Sequence, residues 1–383
     1  MSEVEVRPVR GRADRRTFLD FPRSVYESDP HWVPPIRLDA RRRLNPARGP
    51  FFDRGEAELF LAFRGDRPVG RVSAHVDYRY DAHHGSDTGF FGFFECRNDP
   101  AAAGVLLGAV EDWHADRGRN SIVGPLSFTI YDEIGILVHG FDSTPYVLNA
   151  HNPPYYEDLL VRSGYEKAID WYAYRGGRRF AKALPDRLLR LTHRIRSRPD
   201  LTLEEIRPGG VRALTPVLKG MFDRAWGGSW GHTPMTDKEF RQMAFVLHPF
   251  LIPQLSFVAR LKGRPIGFLV SIRDPNRAIQ KTGGTLFPTG LYHILRESKR
   301  SDRFRVLMLG LEEDSRHRGY DLAMYGTVIE RGLRLGLREC EMSNVSELNR
   351  PLVRILEKLS AERYKTYRIF RKRVGGASSD PRI

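Results

Sequence analysis

Residues 305–336 read RVLMLGLEEDSRHRGYDLAMYGTVIERGLRLG, and this stretch decides the fold. Val306–Leu311 is an apolar run with the length and composition of a strand, and Glu312–Arg318 is a charged loop. From Tyr320 to Leu335 apolar residues return at helical spacing, at Leu322, Tyr325, Ile329 and Leu333. The order is strand, tight basic loop, helix. Such a loop aims backbone N–H groups and the positive end of a helix dipole at one point, with Arg316, Arg318 and Gly319 beside it, which suits a phosphate. Read alone, the segment also fits an ordinary solvated basic loop.

Length and composition bound the rest. A chain of 383 residues and 44.0 kDa buries a sizeable core and favours two domains. Hydrophobic content of 41% with 28% charged residues belongs to a water-soluble protein. No apolar run approaches the roughly 20 residues that span a bilayer, and the charged start MSEVEVRPVRGRADRR is unlike a signal peptide, so a cytoplasmic location is expected. Cys96 and Cys340 lie in separate strand-like runs without metal-ligand spacing, which predicts two core thiols, no disulfide and no metal. The 62 Lys and Arg against 47 Asp and Glu give a net charge of +15. That excess suits polyanions such as CoA phosphates, an acidic carrier protein, an anionic membrane or nucleic acid, and equally an Arg-rich solvated surface.

Taken in order, the chain repeats itself. ELFLAFRGDRPVGRVSAHVDYRY reads as a hairpin turning at Gly65-Asp66, followed by a strand over Gly89–Arg97. A helix from about Ala101 to Arg117 then presents Val105, Leu106, Ala109, Val110 and Trp113 on one face, before a short strand at Ile122-Val123. After a Gly- and Pro-punctuated insertion from Gly124 to Asn149 come a short helix and the strand DWYAYR. Pro185–Arg198 is a basic helix with Leu188, Leu191 and Ile195 on a narrow stripe, read as a connector. In the second half SFVARLKGRPIGFLVSI parallels the first hairpin, and the opening strand, loop and helix follow. ECEMSNV, NRPLVRILEKLSAERY and KTYRIFRK close it as strand, helix and strand. The result is an internal repeat of one mixed α/β unit.

The loop from Arg316 to Gly319 resembles the acyl-CoA-binding motif of the GNAT acyltransferase superfamily, with Asp321 at that motif's last small position. The repeat resembles two tandem GNAT folds, and only the second copy has the loop; the first has RNDPAAAG there. The resemblance implies an α/β (α+β mixed sheet) fold in two copies. They would span residues 1–180 without a cofactor loop and 201–375 with it, joined by a basic helix over 181–200 and trailed by a disordered tail over 376–383. GFFGFFECRNDP (89–100), DEIGILVHGFD (132–142), NPPYYEDL (152–159), FDRAWGGSWGHTPMTDKEF (222–240) and EKLSAERYKTYRIFRK (357–372) are similar to the YghO-like family, which includes bacterial ceramide synthases. That likeness runs over roughly residues 3 to 373 and implies transfer of a fatty acyl group from a thioester, carried by acyl-CoA or an acyl-carrier protein, to the amine of a sphingoid base.

Amide formation from a thioester needs a neutral amine, a base for its proton, donors for the oxyanion and an acid for the leaving thiolate. Glu133, between Asp132 and an apolar run, is the first candidate base and Glu95 the second, each with the alternative of a structural carboxylate. His151 is a third candidate. Tyr364 and Tyr367 stand near the final helix and strand, where the family resemblance implies a tyrosine acid. The cofactor loop implies acyl-CoA contacts from Leu309, Gly310, Leu311, Arg316, His317, Arg318, Gly319, Tyr320 and Asn349. Trp226 and Trp230, on the Gly-loosened WGGSWG segment, line an acyl or sphingoid-chain channel or pack in the core; His151, Tyr155 and Tyr156 complete the acceptor side. Leu286–Leu295, an amphipathic stretch with basic neighbours, suits either an anionic membrane surface or domain packing. Two other readings stand beside this one: an aminoacyl-tRNA-dependent transferase, and a non-catalytic ligand- or nucleic-acid-binding relative. No helix-turn-helix, zinc or RNA-recognition motif supports nucleic-acid reading.

Overall fold

Both hairpins form where alternating apolar residues flank a glycine turn, and each hairpin seeds one sheet. The computed structural model describes residues 3–177, 185–316, 318–359 and 361–374; the tail expected over 376–383 lies outside them. The chain divides into two compact units. The first holds Met1–Trp171, Ile279–Gly290 and Lys365–Ile383; the second holds Tyr172–Ala278 and Leu291–Tyr364.

The first unit runs β1 (Val4–Pro8), α1 (Gly11–Val25), α2 (Arg37–Arg43), β2 (Gly55–Arg64), β3 (Arg67–Asp77), α3 (Tyr78–His84), β4 (Thr88–Cys96), α4 (Pro100–Ala115), β5 (Ser121–Gly124), β6 (Ile136–His139) and α5 (Tyr156–Arg162). β7 (Glu166–Gly177) belongs to it up to Trp171. In the second unit follow α6 (Asp186–Arg196), β8 (Leu201–Glu205), α7 (Val211–Trp226), α8 (Asp237–Leu247), β9 (Phe257–Leu261), β10 (Arg264–Arg273) and α9 (Asn276–Lys281), whose last turn is in the first unit. α10 (Gly290–Arg300), β11 (Arg303–Leu311), α11 (Tyr320–Arg334), β12 (Glu339–Ser346) and α12 (Arg350–Lys358) complete that unit. The last strand, β13 (Glu362–Arg373), enters the first unit at Lys365.

The sheet of the first unit has the order β1-β2-β3-β4-β5-β13, with β6 on β13; that of the second has β12-β11-β10-β9-β8. Hairpin strands pair antiparallel, whereas β4 with β5 and β11 with β12 run parallel, since a helix crosses over between them. The units are thus two copies of one topology, and the first completes its sheet with a strand from the far end of the chain.

Apolar faces build one core in each unit. Phe60, Val72, Phe91, Leu106, Leu107, Val110 and Phe370 pack together in the first; Leu255, Phe257, Leu269, Phe304, Met324 and Val328 do so in the second. The buried arc of α4 carries Ala102, Ala103, Leu106, Leu107, Val110 and His114. Val105, expected on that face, is 41% exposed because the arc centres one residue further round. The connector α6 packs through Thr192 and Ile195 against α11 and the loop before it: a methyl at Gly326 would stand 2.2 Å from Thr192 Cγ2, and one at Gly319 would meet Ile195. Leu191, expected on the buried stripe, instead faces solvent, and the Leu188 side chain lies outside the described residues.

His114 shows how tightly the first unit is filled. It is fully buried, its Nε2 stands 2.9 Å from the Phe90 carbonyl, and a Cβ at Gly89 would come within 2.4 Å of its ring. Burial pushes its pKa down from 6.5 to about 4, with the Phe90 bond opposing. A lowered imidazole pKa stabilises the fold fully above the unfolded value of 6.5, and this contribution is lost as pH falls towards about 4. The loss expected across that window is about 3 kcal/mol. Denaturant titrations across that window should show a shallower pH slope for His114→Gln than for the wild type; parallel slopes would remove His114 as the origin.

Candidate active site

In the second unit β11 and β12 pair from Arg303 opposite Glu339 to Val306 opposite Met342, and the ladder ends there. β11 continues to Leu311 and β12 to Ser346, so beyond Val306 the two parallel strands flank a slot without bonding to each other. At the end of β11 a charged loop leads into α11. Glu312 pairs with Arg224 and Asp314 with Arg264, each at 2.7 Å, so two of the loop's three acidic residues are neutralised by arginines from neighbouring elements, while Glu313 is exposed. Gly319 begins the helix at φ 80, a left-handed conformation that suits glycine, and a Cβ there would lie 2.8 Å from Ile195 Cδ1. Among the described residues no side chain caps α11, so its first-turn N–H groups are open to an acceptor.

Most of the cofactor-loop residues named from the sequence gather here. Leu309 packs at the edge of the core, and Leu311 and Tyr320 are buried in it. Gly310 lies under α7: a Cβ there would stand 2.9 Å from that of Ala225 and 2.6 Å from the Phe268 ring. Arg316 donates to the carbonyls of Ala225 (3.1 Å) and Leu311 (3.4 Å), bracing the loop against the end of α7, while Arg318 is exposed. Among the described residues Asp321 makes no hydrogen bond and serves as no cap; its charge, after burial, helps keep the Tyr325 phenol protonated one turn on. Asn349 caps α12 by accepting from the Leu352 N–H at 3.3 Å. His317 lies outside the described residues.

Below the slot sits a cluster the sequence did not announce. Glu341, fully buried on β12, accepts from the Tyr364 hydroxyl at 2.5 Å and stands 3.9 Å from Arg305. Burial pushes its pKa up, against the pull of Arg305 and the Tyr364 bond. The alternation Glu339, Glu341, Ser343 in the strand was the one available signal. Two apolar cavities flank β11. The larger, with about 920 Å3 of space including what opens to solvent, lies among α6, α11 and α12; the smaller, with about 490 Å3 counted the same way, lies between α7, α8 and the sheet. Trp226 stacks on Phe222 with centroids 5.2 Å apart, and neither it nor Trp230 lines either cavity.

The first unit brings most of the acceptor-side candidates together. Glu95 on β4 accepts from the hydroxyls of Tyr26 and Tyr156, each at 2.7 Å, and Arg71, its cross-strand partner, stands 3.6 Å away. Burial raises its pKa and Arg71 opposes. Tyr155 donates to the Cys96 carbonyl at 2.9 Å, and burial lifts its phenol to about 12. His151 Nε2 lies 2.8 Å from Asp29 Oδ2, while its Nδ1 is buried without a partner among the described residues. Burial lowers this imidazole's pKa and Asp29 resists, so the ring is neutral near pH 7 with Nε2 as donor and Nδ1 as acceptor. Tyr26, Asp29 and Arg71 were missed because they lie far from β4 and His151 in sequence.

Glu133 is exposed, and Arg43 beside it is held 2.9 Å from Asp132. Crowding by protein raises the Glu133 pKa, Arg43 opposes, and Asp132 adds to the rise. Tyr367 is fully buried in the first unit, and Tyr364, also buried, belongs to the second.

The first unit has closed the place that the second leaves open. Asp99 caps α4 by accepting from the Ala102 N–H, Pro100 removes another donor, and Arg64 binds Asp99 at 2.6 Å. β4 and β5 likewise part after Phe90 and Val123, but Leu126 donates to the Phe91 carbonyl and fills the gap. A Cβ at Gly92 would come 1.8 Å from the Leu126 oxygen.

No family model matches the chain. Over 388 residues it is 33% identical to a bacterial ceramide synthase of Caulobacter vibrioides (strain NA1000 / CB15N), covering 97% of this chain and 98% of that protein. It is 30% identical over 383 residues to protein YghO of Escherichia coli (strain K12), covering 96% and 95%. A tandem GNAT protein from the clavulanic acid biosynthesis pathway shares its fold with a TM-score of 0.56 at 13% identity, over 98% of this chain and 100% of that one. A GCN5-related N-acetyltransferase from Sphaerobacter thermophilus does so at 0.53 and 13%, over 98% and 97%. The architecture is two GNAT folds in tandem, and the chain belongs to the YghO-like family of N-acyltransferases in which a bacterial ceramide synthase also stands.

Proposed function

We propose that this enzyme transfers a fatty acyl group from the thioester of acyl-CoA to the primary amine of a sphingoid base or a similar long-chain amine. The observation that carries the reading is the slot beyond Val306, with an uncapped helix start at its end, in a chain related over its whole length to a ceramide synthase. The amine nitrogen attacks the thioester carbon, a C–N bond forms and the C–S bond breaks. One proton leaves the nitrogen and one reaches the departing sulfur.

In this reading the α11 N-terminus, Gly319 and Arg318 receive the CoA pyrophosphate, with Leu309, Gly310, Leu311, Arg316, Tyr320 and Asn349 shaping the slot and its rim. Glu133 is assigned the amine proton, the rise in its pKa favouring proton uptake. His151 is the alternative base, favoured by its unpartnered Nδ1. Tyr364 supplies the proton for the thiolate. Tyr155, Tyr156, Trp226 and Trp230 are assigned to the acceptor. Phe287, Leu291 and Tyr292, which are 70%, 44% and 62% exposed near Arg296 and Lys299, are assigned to an anionic membrane from which the lipid amine is drawn.

Purified protein given palmitoyl-CoA and sphinganine should release free thiol and form an amide detectable by mass spectrometry, with both substrates required. CoA binding without amide product would redirect the search to other amines and to carrier-bound acyl groups, and no CoA binding would overturn the donor site. Gly319→Glu should abolish CoA binding in a titration, whereas Gly319→Asn, which tolerates the left-handed backbone, should retain most of it; unchanged affinity in Gly319→Glu would sink the proposed cradle. Glu133→Gln should lower kcat by about 10²-fold or more and remove the acid limb of the kcat/KM profile without moving Tm. Wild-type kinetics there, with loss of the limb in His151→Asn, would transfer the role to His151.

A further inference from the structure

The ladder between β10 and β11 carries a bulge at the point where β11 parts from β12. Val270 faces Met308 and Ser271 faces Val306, so Leu307 has no partner on β10. Successive strand residues ordinarily point to opposite faces, but a bulge re-aims one of them. Here Leu307 and Met308, consecutive in sequence, both line the 490 Å3 cavity, together with Val270 from β10 and Phe240, Met243 and Ala244 from α8. His248 is the one polar side chain in its lining among the described residues.

Leu307 is also the first residue of β11 beyond the β12 ladder, so the cavity reaches the sheet where the slot opens. The 920 Å3 cavity is placed differently. It meets β11 through Phe304 and Val306 and β12 no further than Met342, within the stretch where the two strands are hydrogen-bonded together. A group held in the slot is therefore adjacent to the smaller cavity and walled from the larger by the closed ladder.

We propose that the cavity between α7, α8 and β10-β11 receives the hydrocarbon tail of the acyl donor, and that Ala244, Met243 and Met308 set the chain length it accepts. The inference rests on the fatty-acyl reading of the slot. The cavity's lining is apolar but for His248, and such a wall rewards each buried methylene about fourfold in affinity. Two flexible methionines let the wall adjust to tails of different length.

The test uses the full chain with CoA, octanoyl-CoA and palmitoyl-CoA, below their micellar concentrations, in binding titrations and in turnover with sphinganine. Wild type should bind palmitoyl-CoA more tightly than octanoyl-CoA. Ala244→Trp should cut kcat/KM for palmitoyl-CoA about tenfold or more relative to octanoyl-CoA, and abolish the gain in affinity between them, while CoA itself binds as before. Met243→Ala, which widens the cavity and serves where the tryptophan does not fold, should shift the preference to longer tails. An unchanged chain-length profile in the variants, with the wild type active, overturns the cavity assignment and leaves the proposed function standing. Altered selectivity for the length of the amine instead of the acyl chain also overturns it. Wild type that binds acyl-CoA without amide formation breaks the functional reading, and the affinity increments then decide the cavity alone.

Discussion

Everything in the second unit depends on where one parallel ladder stops. Four residue pairs, from Arg303–Glu339 to Val306–Met342, hold β11 to β12; beyond them the two strands no longer bond to each other, although β11 stays paired with β10. Unpaired strand edges expose backbone donors and acceptors that must be satisfied, and a parted pair inside a sheet is a place for a guest. Arg305 reaches across to the Ser343 carbonyl at 3.1 Å, and the buried Glu341–Tyr364 pair fixes β12 from behind.

The first unit shows the same scaffold with the opening filled from within. Its strands part at the equivalent point, but Leu126 supplies the missing backbone bond and Asp99 the anion at the helix start. A helix N-terminus attracts negative charge whether it arrives on a ligand or on a side chain. One copy satisfies its dipole with its own carboxylate and the other leaves it uncapped. That difference at the helix start distinguishes the two repeats more than any difference in fold.

Much of this was legible in the sequence because it is local. The strand-loop-helix of residues 305–336 and both hairpins follow from periodicity and glycine placement. The partners of Glu95 and His151 were not legible. Tyr26 and Asp29 come from the segment after α1, and nothing in a single sequence ties that segment to β4 or to residue 151. Also not legible were the carbonyls that hold the Arg316 guanidinium, at Ala225 and Leu311, the first of them 91 residues away in the chain. Val105 and Leu191 failed for a smaller reason: helical spacing gives the width of an apolar face but fixes its centre only to within a residue or so.

The exchanged last strand has a consequence for biogenesis. Lys365–Arg373 bonds to β5 and β6, and its Phe370 belongs to the core of the first unit, so a nascent chain carrying residues 3–171 lacks a wall of its own core. The first unit cannot close on the ribosome ahead of the second, as amino-terminal domains commonly do. Its sheet, already paired from β4 to β5, waits with the far edge of β5 open until the final strand has emerged, and an open edge is a template for another strand.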